Sequence, residues 1–394
     1  MSNPESYTPQ LALQLGNLAI LLSNLNRHTE SLDAAKECVS LLRSLVVNNP
    51  GPYTPHLALQ IGNLGFCLLN LNHHSESLDA TQESVSMYLS LIVSHPRPYT
   101  PGLALQLGNL GIRHLNLNWH TESLDATQTS ILLYRALVVN NPKSYTPQLA
   151  HQLGNLGIRL SNLNRHTESL DAAQESVDLY RSLTVRNPGS HTPQLALQLG
   201  NLGVRLSNLN RHRESLDATQ ESVSLFRSLV VSLPGSYTPK LAAQLGSLGV
   251  RLSNLNRHAE SLDPTQESIS LYRSLVVNNP ESYTPELARQ LGNLGVRLLN
   301  LNRHPESLGT TQESVTLYSS LLTHSPTSYR PNLAYALDDL GQCVSHLNRH
   351  TESLEVTQES VLLYQAVLID NPTLHIEDRG LVSHLLDECL ARLG

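Results

Sequence analysis

Three kinds of side chain recur along this chain with types and spacings that could do chemistry. Histidine returns every 46 residues, at His28, His74, His120, His166, His212, His258, His304 and His350. An asparagine keeps the same period at Asn17, Asn63, Asn109, Asn155, Asn201 and Asn293, with Ser247 and Asp339 as the exceptions. Four residues further on, five consecutive repeats carry an arginine: Arg113, Arg159, Arg205, Arg251 and Arg297. Imidazole is suited to metal ligation and proton transfer. A carboxamide both donates and accepts, so a ladder of asparagines can bond an extended peptide backbone with little regard to its sequence. A guanidinium grips a carboxylate or phosphate through two parallel hydrogen bonds.

Spacing decides against the metal. Equivalent atoms in stacked repeats lie on the order of 10 Å apart, and zinc holds each ligand at ~2 Å. The histidines are therefore expected to be packed or capping, with no metal and no cofactor. The chain has no glycine-rich phosphate loop, no Gly-x-Ser-x-Gly and no zinc-spaced His/Glu pair, so no enzyme class is indicated.

The elements that position these residues follow from the Tyr-Thr-Pro frame at Tyr7, Tyr53, Tyr99, Tyr145, His191, Tyr237, Tyr283 and Tyr329, which no insertion interrupts. A period of this length means a solenoid, in which each unit buries its apolar face against its neighbours. Two helices fit within each repeat. The first is expected to open at Thr8-Pro9, with Thr as N-cap and Pro at the first helical position. Leu11, Leu15, Leu18, Leu22 and Leu25 then form an apolar stripe, and Asn26 closes the helix in the left-handed conformation. The second is expected from about Thr29 to Val47, burying Ser31, Ala35, Cys38, Val39 and Leu42. Its small residues, Ser77, Thr81 and Ser84 in the second repeat, are expected to satisfy their hydroxyls on the preceding turn. On the first helix Gln14, Asn17, position 21 and Asn24 share a polar arc of roughly 80°.

Composition agrees with a folded array. Hydrophobic residues make up 40% of the 394, aromatics only 4%, so the core must be aliphatic. A net charge of −7 disfavours nucleic acid or an anionic membrane as partner. A helical-repeat RNA reader would need a basic groove and variable code positions. Cys38, Cys67, Cys343 and Cys389 read as free thiols of a reducing compartment. With no signal peptide and no membrane span visible, the expected location is the cytoplasm.

The string L-x-N-L-G-x-x-L-x-x-L-N-R-H-x-E-S-L resembles the tetratricopeptide repeat, in the longer variety of kinesin light chains. Gly203 matches the family's small residue. Asn210 stands in for the turn glycine, His212 for the aromatic, Ser215 and Ser222 for the alanines, and the proline comes late, at Pro234. The resemblance implies an all-α fold: a right-handed α-α superhelical solenoid of eight repeats over 1–374, starting near 7, 53, 99, 145, 191, 237, 283 and 329. A C-terminal capping helix over 375–394, outlined by Leu381, Val382, Leu385, Leu386 and Leu390, completes it. It further implies that the first helices line a concave groove. Asn63, Asn109, Asn155, Asn201 and Asn293 would then hold a peptide backbone, and Arg113, Arg159, Arg205, Arg251 and Arg297 an acidic or C-terminal segment. The competing structural reading is that these ladders bond the neighbouring repeat.

Two function classes stay open: a non-catalytic scaffold binding protein or peptide, and a structural or oligomerising array. The latter resembles the sensor part of fungal NLR-like signalling proteins, without their ATPase module. Repeat one has no visible cap before Tyr7, so this end is expected either to pack on something outside the chain or to self-associate. Trp119 is expected on the surface of an inter-helix turn, and Pro264 is expected to kink the second helix of repeat six.

Overall fold

The computed structural model describes residues 7–324 and 328–370. Every regular element among them is an α-helix, two per repeat. The first helices are α1 (Thr8–Asn24), α3 (Pro50–Asn70), α5 (Pro96–Asn116), α7 (Pro142–Asn162), α9 (Pro188–Asn208), α11 (Pro234–Asn254), α13 (Pro280–Asn300) and α15 (Arg330–His346). The second helices are α2 (His28–Asn48), α4 (His74–Ser94), α6 (His120–Asn140), α8 (His166–Arg186), α10 (His212–Ser232), α12 (His258–Asn278), α14 (His304–His324) and α16 (His350–Asp370). Contacts divide the chain into two compact units, Met1–Arg205 and Leu206–Gly394. In the first, α1 through α8 pack each on the next, with lighter contacts between α1 and α3 and between α3 and α5. In the second the same order runs from α10 to α16, with lighter contacts from α11 to α13 and α13 to α15. The expected capping helix lies outside the described residues.

Helix ends follow local chemistry. All eight asparagines from Asn26 to Asn348 adopt positive φ, between 55° and 61°. After Asn72, His73 N–H reaches back to Leu68 C=O at 3.0 Å while Asn72 N–H bonds Leu69 C=O at 2.9 Å. That double closure satisfies carbonyls the helix end would leave orphaned.

Helix α1 opens at Thr8-Pro9 and α15 at the equivalent Arg330-Pro331, as the sequence suggested, although Tyr7 and not Thr8 is the N-cap of α1. The other first helices open earlier. In repeats two to seven they begin four residues or more before Thr-Pro, at Pro50 and its equivalents. Thr54 is not an N-cap; its Oγ1 donates to Pro50 C=O inside the helix, at 2.6 Å. Two prolines per repeat suit a first turn, and the earlier one wins. Asn49, extended at φ −149° and ψ 85° as a residue before proline must be, ends α2 and starts α3. Pro55 then falls within the first two turns, where a missing N–H costs one bond. At α7 and α13 the preceding asparagines do cap: Asn141 Oδ1 accepts from Ser144 N–H and Asn279 Oδ1 from Ser282 N–H.

The core lies between successive helix pairs. Leu57, Ile61 and Leu68 of α3 pack with Leu32, Cys38, Val39 and Leu42 of α2. Leu57 and Ile61 repeat the positions of Leu11 and Leu15, and on α1 Leu11, Leu18 and Leu25 are exposed. Close approach within a pair rests on the small buried residues, and the serines do more than foreseen. Ser77 Oγ donates across to Gly65 C=O at 2.5 Å and Ser84 Oγ to Ala58 C=O at 2.6 Å, both on α3; only Thr81 bonds its own preceding turn, at Ser77 C=O. α12 continues unbroken through buried Pro264; the local difference is that Ser261 Oγ donates to His258 C=O instead of crossing to the first helix. Trp119 sits half-exposed beside His114, ring centres 5.6 Å apart.

Candidate functional site

The first helices present two kinds of surface. At 100° per residue, positions equivalent to 10, 13, 17, 20 and 24 share one face. Positions equivalent to 14 and 21 turn sideways, toward the preceding first helix.

That sideways seam is closed by glutamine on glycine. A Cβ added to Gly62 would stand 2.3 Å from the Gln106 side chain, and one on Gly108 2.3 Å from Gln152. A Cβ at these glycines would displace the glutamine carboxamides, and Gln106, Gln152, Gln198 and Gln290 are buried. The asparagine ladder is tied to these glutamines: Asn63 Nδ2 donates to Gln60 Oε1 at 3.1 Å, Asn109 to Gln106 at 3.3 Å, Asn201 to Gln198 at 3.4 Å and Asn155 to Gln152 at 3.5 Å. These four asparagines and Asn293 are half-buried.

The arginine ladder is not presented to solvent. Arg113 and Arg159 are 2% and 3% exposed, Arg251 and Arg297 are buried, and Arg205 is half-buried. None has a carboxylate partner. Arg205 Nη1 donates to Ser161 Oγ at 3.1 Å and Arg251 Nη1 to Ser207 Oγ at 3.2 Å, each one first helix back. Arg159 Nη1 donates to Asn155 C=O on its own helix at 3.1 Å. Nε and Nη2 of both Arg113 and Arg159 have no partner. Burial pushes the guanidiniums of Arg113, Arg159 and Arg297 down to about 10.

The outward face is different in kind. In the first unit Leu13, Ile20, Leu59, Phe66, Leu105 and Leu197 are exposed on it, Phe66 by 49%. Its five positions carry no Asp, Glu, Lys or Arg in the first five repeats, and asparagines border the apolar line. Between α1, α2 and α3 the face opens into a cleft of about 250 Å³ lined by Gln10, Leu13, Tyr53, His56 and Gln60 among others. In the second unit Arg289 and Tyr335 hold the position of Leu13, and Arg289 pairs with Glu286 at 2.5 Å. Sequence reasoning assigned leucine to the core and missed this line. The signal was present as the seven-residue spacing Leu13/Ile20 and Leu59/Phe66, off the core stripe.

The histidines open the second helices. Nδ1 of His28, His74, His166, His212 and His304 is buried without a partner, whereas His258 Nδ1 meets Ser253 Oγ at 3.2 Å. Among the described residues no group of three His, Cys, Asp or Glu is placed to hold a metal ion. Cys38, Cys67 and Cys343 are free and buried. No helix among the described residues is long and apolar enough to cross a membrane.

The tetratricopeptide repeat family model matches residues 11–50 and 149–187. No curated protein matches the chain. Among solved structures it is similar to the apo form of the quorum sensor NprR from B. thuringiensis, at 11% identity and a TM-score of 0.58, over 88% of this chain and 87% of that one. The apo form of RapI matches at 10% identity and a TM-score of 0.55, over 77% and 96%. BtubC (BKLC) from P. vanneervenii matches at 12% identity and a TM-score of 0.50, over 62% and 90%. At such identities the likeness is one of fold.

Proposed function

We propose that this chain, a tetratricopeptide-like array, is a non-catalytic scaffold that binds protein or peptide on the outward face of its first helices. The observation that carries the reading is the exposed apolar line of the first unit, Leu13, Leu59 and Leu105 with Ile20 and Phe66, and Leu197 beyond His151. The repeat does not use these side chains for its own stacking. Contiguous apolar surface with a polar border is the usual mark of a docking face. The asparagines beside it are oriented by their glutamines, which prepares them to meet a backbone at low entropic cost. The seam arginines lend the region positive potential, so an acidic or C-terminal segment is the expected ligand. That a quorum sensor shares the fold adds an analogy of the same kind. The buried free thiols suit the cytoplasm.

A second reading has its own observation. Leu11 and Leu18 on α1 and Leu25 just after it are exposed, whereas their equivalents Leu57 and Leu64 on α3 and Leu71 just after it are buried or half-buried. This α1 face suits self-association, as a structural or oligomerising array would use it.

The discriminating experiment selects a displayed random-peptide library on the intact chain and on a Leu59→Asp/Leu105→Asp variant. Enriched peptides should lose about tenfold or more in affinity for the variant, or ~1.4 kcal/mol. Peptides that bind both forms equally would sink the assignment. Light scattering on a Leu11→Asp/Leu18→Asp variant tests the second reading, which fails if the native chain is already monomeric.

A further inference from the structure

The seam arginines raise a question the peptide face does not answer. A buried guanidinium stays charged at neutral pH, so its N–H groups need acceptors. At the start of the second helices arginine meets carboxylate by one edge: Arg165 donates from Nε to Glu168 Oε1 at 2.7 Å and from Nη2 to Oε2 at 2.6 Å. Arg27, Arg211, Arg257 and Arg303 grip Glu30, Glu214, Glu260 and Glu306 by the same edge. In Arg113 and Arg159 that same Nε–Nη2 edge is buried and has no partner.

Arg205 makes, through Nη1, a contact to the preceding first helix for which these two have no hydroxyl. Arg205 meets Ser161, forty-four residues earlier on the preceding first helix. At the corresponding positions Arg113 has Leu69 and Arg159 has Leu115. Folding does not demand arginine there, because the same slot holds Leu21 in repeat one and Cys67 in repeat two, and Cys67 is buried and bonded to Ser31 at 3.2 Å. An uncompensated buried cation with an apolar alternative in the same chain points to a ligand of opposite charge.

We propose that Arg113 and Arg159 each bind a small oxyanion, carboxylate or phosphate, on the Nε–Nη2 edge at the seam with the preceding first helix. Two parallel N–H donors match two oxygens of such a group, which a spherical halide cannot provide. The site stands apart from the apolar docking face and does not depend on it. Occupied seams would be stapled by a charge-assisted contact, so the oxyanion should raise the stability of the first unit by mass action.

The test is thermal unfolding of the full chain in inorganic phosphate, in acetate and in chloride at matched ionic strength. The native chain should show a saturable rise in midpoint of a few degrees with an oxyanion over chloride. An Arg113→Met/Arg159→Met variant should keep only the non-saturating effect of excluded salts. A response to phosphate alone identifies free phosphate as the ligand; a response to acetate as well identifies a carboxylate. Equal responses in the native chain and the methionine variant overturn the proposal, as does a native chain that does not distinguish oxyanion from chloride. Neither result bears on the leucine face.

Discussion

Arg205 donates to Ser161 Oγ across the seam between α7 and α9 at 3.1 Å, whereas Arg159, one repeat earlier, has Leu115 where that serine would stand. Two copies of one repeat thus place the same cation in different chemical company. Replacing a buried, unpaired charge by an apolar chain of similar length removes a desolvation penalty and leaves no orphan behind.

Arg159→Met should therefore stabilise the chain by about 1–3 kcal/mol in oxyanion-free buffer, within the range known for buried charges exchanged for hydrophobic residues. Arg159→Ala should not, because it leaves a void where the aliphatic stem packs. Urea unfolding followed by circular dichroism gives the midpoints; a lower midpoint for the methionine variant would show the charge to be compensated in the apo chain.

Gly51 and Gly62 make a matched pair on α3. Nothing lies within 4 Å of a Cβ at Gly51, and no glycine among the described residues has positive φ. Gly51→Ala should stabilise by roughly 0.4–1 kcal/mol, chiefly by restricting the unfolded chain. A Cβ at Gly62 would fall 2.3 Å from the Gln106 carboxamide, so Gly62→Ala must displace that buried group and should cost about 1–3 kcal/mol. Identical melting of the two variants would contradict the seam geometry.

Asn72, at φ 61°, closes α3. Asn72→Ala should cost about 1–2 kcal/mol, the penalty for a Cβ in the left-handed region without a helpful side chain, while Asn72→Gly should be close to neutral. Equal losses for both would mean that the asparagine side chain, not its backbone conformation, matters.

Much of this was legible in the sequence because it is decided locally. The left-handed asparagines follow from one residue and its neighbours, and the buried face of α2 from periodicity alone. The start of the first helices was not, because Pro50 and Pro55 both satisfy a first turn and the choice depends on what Asn49 does before them. The fate of the polar arc was least legible. Whether Arg159 is exposed or buried is settled by how closely one first helix lies on the next, and whether it meets a hydroxyl across the seam by a residue forty-four positions earlier. The exposed leucines escaped because leucine at helical spacing ordinarily signals core, and Leu59 differs from Leu57 only in which side of the helix it occupies.

Alkaline pH brings the buried tyrosines and arginines of the first unit into opposition. Burial raises the phenols of Tyr134 and Tyr180 to about 12, with the neighbouring Tyr145 adding to the effect on Tyr134. The unfolded chain ionises near 10, so the stability these phenols contribute is fully present below pH 10 and is lost as pH rises toward 12. The guanidiniums of Arg113 and Arg159 are lowered to about 10. Their charge disfavours the folded state below that pH, and the penalty eases above it while the unfolded arginines stay protonated. The native chain should lose stability above pH 10 less steeply than an Arg113→Met/Arg159→Met variant, which keeps the tyrosines and lacks the relief. Urea midpoints across pH 9 to about 11, with phenolate absorbance recorded alongside, measure both slopes. Parallel curves would show that the seam guanidiniums hold their protons throughout, through an acceptor that compensates them.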